Sequence, residues 1–290
     1  AGMSQLASLY HRQSGLAGIA SLRALDNDLA DASNLGNLSE ELSSLRDYLI
    51  HAPSINLLTV SDSQSLDQAT QALANATSTL TADAVASVWT PGDTQAQANQ
   101  IWVANTQVNF CAKAFPTVSS GHPDAPTLTV LAAYLRNGFL HRAIREQGGA
   151  YGGGASHDAN VGAFRFFSYR DPRNIDTLAD FDASVEWLLS SKSDADALEE
   201  AILSVISSLD KPASPAGEVK KAFYDALYHR TSEQKRQLRE TIISTTHDDL
   251  CRVASTYLKP EFACSVVLTD AKTAASKALH DLRWEQHDLS

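Results

Sequence analysis

Residues 145–154 read R-E-Q-G-G-A-Y-G-G-G, placing an arginine and a tyrosine six positions apart with glycines on both sides of the aromatic. Five of the chain's 14 glycines fall in these ten positions. Arg145 brings a permanently charged fork of N–H donors, and Tyr151 a phenolic hydroxyl that can donate to a carbonyl or an oxyanion. A turn through Gly148 and Gly149 can bring both tips to one place, and glycines leave room for another backbone to approach. Such a set could meet the backbone of a peptide. Two plainer roles compete: a cation in the last helical turn is favoured by the helix dipole alone, and an aromatic after a turn can simply pack on a sheet.

Other chemistries fail on spacing. A phosphate-binding loop needs G-x-x-x-x-G-K-[ST] after a strand, whereas these glycines follow a helical pattern and no Lys-Ser/Thr pair closes them. Ser156-His157-Asp158 has the letters of a catalytic triad, but consecutive residues of an extended chain point to opposite faces, so it is read as a polar loop. The nine histidines form neither H-E-x-x-H nor H-x-x-E-H; His141 with Arg145 and Glu146 lacks the geometry, and His122 and His247 read as loop and cap residues. No catalytic metal is expected in this chain.

The elements that must position Arg145 and Tyr151 follow from periodicity. Leu128, Leu131, Leu135 and Phe139 share a stripe of a helix that Pro123 and Pro126 precede, and Gly148 is placed to cap it in a left-handed conformation. Val108, Phe110, Ala112 and Ala114 alternate with polar partners as a half-buried strand; 162–169 is a second strand, ended by Arg170-Asp-Pro172. Helices are expected at about 177–191, 194–209, 217–229, 232–245 and 247–258, then a strand at 262–269 and a last helix over about 271–283. Upstream, 4–31 and 39–51 are helical with a break at Gly36 and Asn37, 55–60 is a short buried strand, and 66–80 is helix. Residues 40–50 parallel 248–258, each followed by a proline, a hydrophobic strand ending in Asp and an Ala-rich helix. The repeat predicts one complete domain plus the tail of a related one: 1–87 closing the earlier domain, 88–99 a linker and 100–290 the complete domain.

A formal net charge of -11 and a pI near 5.2 repel phosphate backbones and anionic lipid, so neither nucleic acid nor membrane is expected as a partner; an acidic enclosure favours basic peptides. Cys111, Cys251 and Cys264 are an odd number without C-x-x-C spacing, which points to buried thiols in a reducing compartment.

The stretches Y-L-R-N-G-F-L-H-R-A-I-R-E-Q-G-G-A-Y-G-G-G at 134–154 and G-A-F-R-F-F-S-Y-R-D-P-R at 162–173 closely resemble the C-terminal half of presequence proteases, the single-chain branch of the pitrilysin/insulinase zinc metallopeptidases. V-N-F-C-A-K-A-F-P upstream and T-T-H-D-D-L downstream extend the likeness over about 100–270, and 1–85 resembles the end of the preceding domain more loosely. The resemblance implies four related α/β (α+β) domains, each a mainly antiparallel sheet packed with helices, in two halves closing around a peptide chamber, with zinc ligands and general base on an inverted H-x-x-E-H helix of the first domain, absent from this chain. It implies that Arg145 and Tyr151 reach the substrate as catalytic and substrate-binding residues, with Gly148 and Gly149 beside them. The expected partners are a peptide substrate and the N-terminal half of the same polypeptide; zinc belongs to the full-length enzyme, and this chain alone is expected to be inactive and prone to self-association. The compartment is expected to be a bacterial cytoplasm or a mitochondrial or plastid matrix. The competing reading is a non-catalytic scaffold or peptide-binding subunit of the same superfamily.

Overall fold

The computed structural model describes residues 2–50, 56–78, 80 and 98–289. The chain divides into two units: one comprises Ala1–Ala20, Pro91–Lys211 and Lys235–Ser290, the other Ser21–Thr90 and Pro212–Gln234.

The first unit is built on a six-stranded sheet. Its strands are β1 (Gln100–Val103), β2 (Asn109–Pro116), β3 (Gly152–Asp158), β4 (Ala163–Asp171), β5 (Cys264–Thr269) and β6 (Glu285–Asp288), in spatial order β3-β4-β2-β5-β1-β6. The β3–β4, β4–β2 and β2–β5 pairs are antiparallel, and β1 runs parallel to both β5 and β6. Along β4, Phe164, Phe166 and Ser168 are buried while Arg165 and Tyr169 are exposed, so one face of the sheet meets the core and the other stays open.

The strands anticipated from the sequence, β2, β4 and β5, form the middle of the sheet. Three others carry no such signal. β1 begins at Gln100, directly after the stretch 88–99 expected as a linker, of which residues 88–97 lie outside the described ones. β6 is the polar sequence Glu285–Asp288, held by its parallel register with β1; it lies just beyond the expected last helix of about 271–283, which breaks into the short helices Ala271–Ala274 and Lys277–His280. β3 contains Gly152, Gly153 and Gly154, residues with little strand propensity, and exists because β4 pairs with it along its whole length.

The central helix, Ala125–Leu135, buries every residue but Thr129; a helix apolar all round belongs in a core. Leu128, Leu131 and Leu135 are fully buried against a core that includes Phe115, Phe164, Phe166 and Phe181. The chain then continues as a π-helical segment, Arg136–Gln147. Its bonds run i to i+5, so the buried stripe moves off Phe139, which is partly buried, onto Leu140 and Ile144. Helices Ile175–Ser190, Ala195–Leu209, Ser232–Ile243 and His247–Tyr257 match the sequence periodicity. The last starts with a capping box in which the Thr246 hydroxyl accepts from the Asp249 N–H and the Asp249 carboxylate accepts from the Thr246 N–H.

The second unit contains helices Ala32–Ile50, Leu66–Ala76 and Pro215–Leu227. Ala32–Ile50 runs through Gly36 and Asn37, which were expected to break it; a single glycine costs a helix only about 1 kcal/mol. The break falls earlier, at 29–31. The described part of the expected 55–60 strand pairs with nothing among the described residues, and Leu57 and Val60 are exposed. A strand without a neighbour leaves its backbone unpaired, and hydrophobicity alone does not supply one.

Candidate functional site

Arg145 lies in the last turn of the π-helical segment. The turn that follows is closed by Gly149 N–H donating to the Arg145 carbonyl at 3.2 Å and Ala150 N–H to the Ile144 carbonyl at 3.1 Å. The left-handed residue is Gly149, with φ of 79°, not Gly148, which stays right-handed at −82°. The wider π turn carries the helix one residue further before the chain reverses, so the cap expected at Gly148 moves to its neighbour.

The glycines accommodate this chain's own side chains. A Cβ on Gly148 would stand 1.8 Å from Arg173 Nη2, whose guanidinium bonds Asp180 at 2.9 Å and the Ala143 carbonyl at 3.3 Å. On Gly152 it would lie 2.5 Å from the Tyr169 ring, on Gly153 2.8 Å from Ile144 Cγ2 and on Gly154 2.8 Å from Arg136 Cγ. Gly148 is buried and Gly149 exposed.

Tyr151 emerges directly before β3 and is 63% exposed. Its N–H donates to the Arg170 carbonyl at 3.2 Å, which fixes the backbone and leaves the ring outside the core. The ring lies 5.5 Å from the Tyr169 ring, and Arg170 Cζ sits 5.7 Å from its centroid. Neither the Tyr151 hydroxyl nor the exposed Arg145 guanidinium has a hydrogen-bond or ion-pair partner among the described residues. The structure therefore places the two at opposite ends of one tight turn.

Sequence reasoning ended the second strand before Arg170, but β4 runs on to Asp171. Asn109 pairs with Asp171 and Cys111 with Ser168, so two residues of β4, Tyr169 and Arg170, face the single residue Phe110: a β-bulge on β4. Arg170 takes φ of 49°, where a side chain is strained. The bulge is pinned by Asp171, which is fully buried. Its Oδ1 accepts from the Arg173 N–H at 2.9 Å, its Oδ2 from the Thr177 hydroxyl at 2.8 Å and its carbonyl from Asn109 Nδ2 at 3.1 Å; Asn109 Oδ1 in turn accepts from the Thr269 hydroxyl at 2.6 Å. The only sequence cue is the S-Y-R-D-P-R run, in which a proline two residues on marks the strand end without showing the bulge.

Ser156, His157 and Asp158 belong to β3 and not to a loop, because β4 supplies partners through Asp158. Alternation separates them: Ser156 Oγ accepts from Arg165 Nε at 2.9 Å and Asp158 lies 3.7 Å from the same guanidinium, while His157 Nδ1 is 3.3 Å from the Thr129 hydroxyl. Burial lowers the His157 pKa below its ordinary 6.5, keeping the imidazole neutral. His122 Nδ1 accepts from the Asp124 N–H in the turn before the central helix, and His247 opens the helix capped by Thr246. Cys111 is buried, which pushes its thiol up to about 12, and burial also raises Cys251 and Cys264. Among the described residues no three His, Cys, Asp or Glu side chains gather where a metal could sit, so the residues present do not fit a zinc centre. No helix among them is long and apolar enough to cross a membrane.

The fold is that of pitrilysin-type metallopeptidase domains. Solved structures that share it include a protease from Helicobacter pylori (TM-score 0.58, 16% identity, covering 72% of this chain and 53% of that one) and pitrilysin (TM-score 0.53, 12% identity, covering 78% and 25%). The model of the PreP C-terminal domain matches residues 99–272, and the chain belongs to that family. It is 42% identical over 156 residues to the mitochondrial presequence protease of Kluyveromyces lactis, covering 53% of this chain and 16% of that protein, and 40% identical over 151 residues to that of Mus musculus, covering 52% and 14%. The matched stretch is thus about a sixth of the relatives' length.

Proposed function

We propose that this chain is the C-terminal part of a zinc metalloendopeptidase that degrades targeting peptides and other short unstructured peptides, with 1–87 closing a third peptidase-like domain and 100–290 forming the fourth. The observation that carries the reading is Tyr151: an exposed phenol with a free hydroxyl, fixed through its backbone at the end of the turn from Arg145. In this reading zinc and the general base belong to the N-terminal half of the polypeptide; among the described residues of this chain no group of His, Cys, Asp or Glu could hold a metal. This chain's own contribution is donors. Tyr151 donates a hydrogen bond to the scissile carbonyl oxygen, a bond that strengthens as negative charge develops there, and Arg145 holds the neighbouring peptide backbone. The buried Cys111 thiol, pushed up to about 12, accords with a reducing compartment, and the relatives' names read mitochondrial.

The test is Tyr151→Phe and Arg145→Ala in the full-length polypeptide. Loss of one oxyanion donor lowers turnover by about 10²–10³-fold. Both side chains are exposed and unpaired among the described residues, so the melting temperature should move by no more than about 2 °C. Retained turnover in Tyr151→Phe would reject the catalytic role of Tyr151, whereas a full-length wild type that binds peptide without turnover would favour the non-catalytic, peptide-binding alternative.

A further inference from the structure

Arg170 is a strained residue that no ion pair among the described residues requires to be an arginine. It occupies the extra position of the β4 bulge at φ of 49°, a conformation that glycine adopts freely and that a side chain resists. Its side chain is exposed, so packing does not explain the choice. It has no carboxylate partner among the described residues, although the nearby Arg165 pairs with Asp158 and Arg173 with Asp180. The backbone on both sides is held: Tyr151 N–H bonds the Arg170 carbonyl, and the next residue is the buried Asp171 with its partners Arg173 N–H, Thr177 and Asn109. Strain so firmly over-determined, beside an exposed aromatic, is a feature of sites that aim a side chain.

The direction of the aim is visible. The Arg170 guanidinium stands over the Tyr151 ring, with the Tyr169 ring against the other aromatic. A cation over a ring face loses rotamer freedom before any ligand arrives, and its N–H edges, unpaired within the described chain, remain available. The chemistry such a fork selects is a carboxylate, which accepts two parallel N–H bonds. In a chain of net charge -11, an uncompensated guanidinium is also the kind of point to which an anionic group would be drawn.

We propose that Arg170 is a specificity-determining residue that binds a carboxylate of the peptide beside Tyr151. The proposal rests on the reading of the chain as part of a peptidase. A peptide offers this group in two ways, as its C-terminus or as an Asp or Glu side chain.

The experiment compares kcat/KM of the full-length polypeptide for matched peptides differing only in one carboxylate: a C-terminal acid against its amide, and an internal Glu against Gln. Wild type should prefer the carboxylate form by about tenfold or more in one of the two arms, and that arm names the source. R170Q and R170G should collapse the preference to within about twofold. R170G, which relieves the left-handed strain, should melt no lower than wild type, separating lost recognition from lost folding. A ratio that is the same in wild type and both variants, in both arms, would overturn the proposal. Titration of the same peptides, dye-labelled, onto the 290-residue chain separates the two readings. Arg170-dependent carboxylate preference in this binding, with no turnover of the peptides by the full-length polypeptide, would sink the peptidase reading alone, whereas turnover by the full-length polypeptide without that preference would sink this inference alone.

Discussion

Asp171 is the group whose removal should most disturb the bulge. Its carboxylate is fully buried, has no ion-pair partner among the described residues and is held by the Thr177 hydroxyl at 2.8 Å and the Arg173 N–H at 2.9 Å. Asp171→Ala deletes two hydrogen bonds to a charged acceptor, each worth about 1.5–3 kcal/mol, and leaves the fully buried Thr177 hydroxyl without its partner. Removing the carboxylate also relieves the cost of burying it, which puts the net loss at the low end of the sum, about 3 kcal/mol. For a chain of this size that is a fall in Tm of roughly 6–12 °C. Asp171→Asn keeps the shape and one acceptor, and should lose about half as much. The assay is chemical denaturation of wild type, Asp171→Asn, Thr177→Val and the double variant. The pair should couple by about 1–3 kcal/mol, because each side chain's cost depends on the other. Coupling below about 0.5 kcal/mol, or an Asp171→Ala protein melting within about 2 °C of wild type, would refute the account of Asp171 as the pin of this turn.

Gly149→Ala should cost about 1–2 kcal/mol from its φ of 79° alone, since the nearest atom to the new methyl is Pro172 Cγ at 3.5 Å. Gly148→Ala should cost more, because its Cβ also meets the Ile144 carbonyl at 2.6 Å; equal melting temperatures would contradict this ordering. Burial holds the His157 pKa below 6.5, so on acidification the unfolded chain takes up the proton first. The stability difference is intact above about pH 7 and shrinks as the pH falls through 6.5 toward the folded value. His157→Gln should flatten the pH dependence of Tm between about pH 7 and 5, and an unaltered slope would exclude His157 as its source. Leu35, Leu42, Leu45 and Leu49 of helix Ala32–Ile50 are all exposed, which predicts concentration-dependent self-association in sedimentation experiments. Changing Leu42 and Leu45 to Glu should reduce it, and a monomer at every concentration would remove the argument.

The middle of the sheet and nearly every helix of the first unit were legible because local signals carried them. Alternation in β2, the hydrophobic run of β5, the apolar stripe of the central helix and the Thr246–Asp249 capping box each lie within one segment. β3 and β6 were not legible, because a glycine run and the polar Glu285–Asp288 become strands only when β4 and β1 supply partners. The second unit shows the converse: an apolar stretch at 55–60 was read as a strand, and its described residues have no ladder.

The candidate site divides along the same line. The R-E-Q-G-G-A-Y-G-G-G run by itself determined the types of group offered, a guanidinium and a phenol around a turn that needs glycine, and it pointed to the family. Which glycine turns left-handed, which side chains the others admit, and which cation lies over Tyr151 were decided by tertiary structure. The reason is that a π turn shifts the cap by one residue and a bulge in a strand some twenty residues away rotates Arg170 into place. Neither is encoded in the run, because each depends on hydrogen bonds and packing that form only when the sheet and helices assemble.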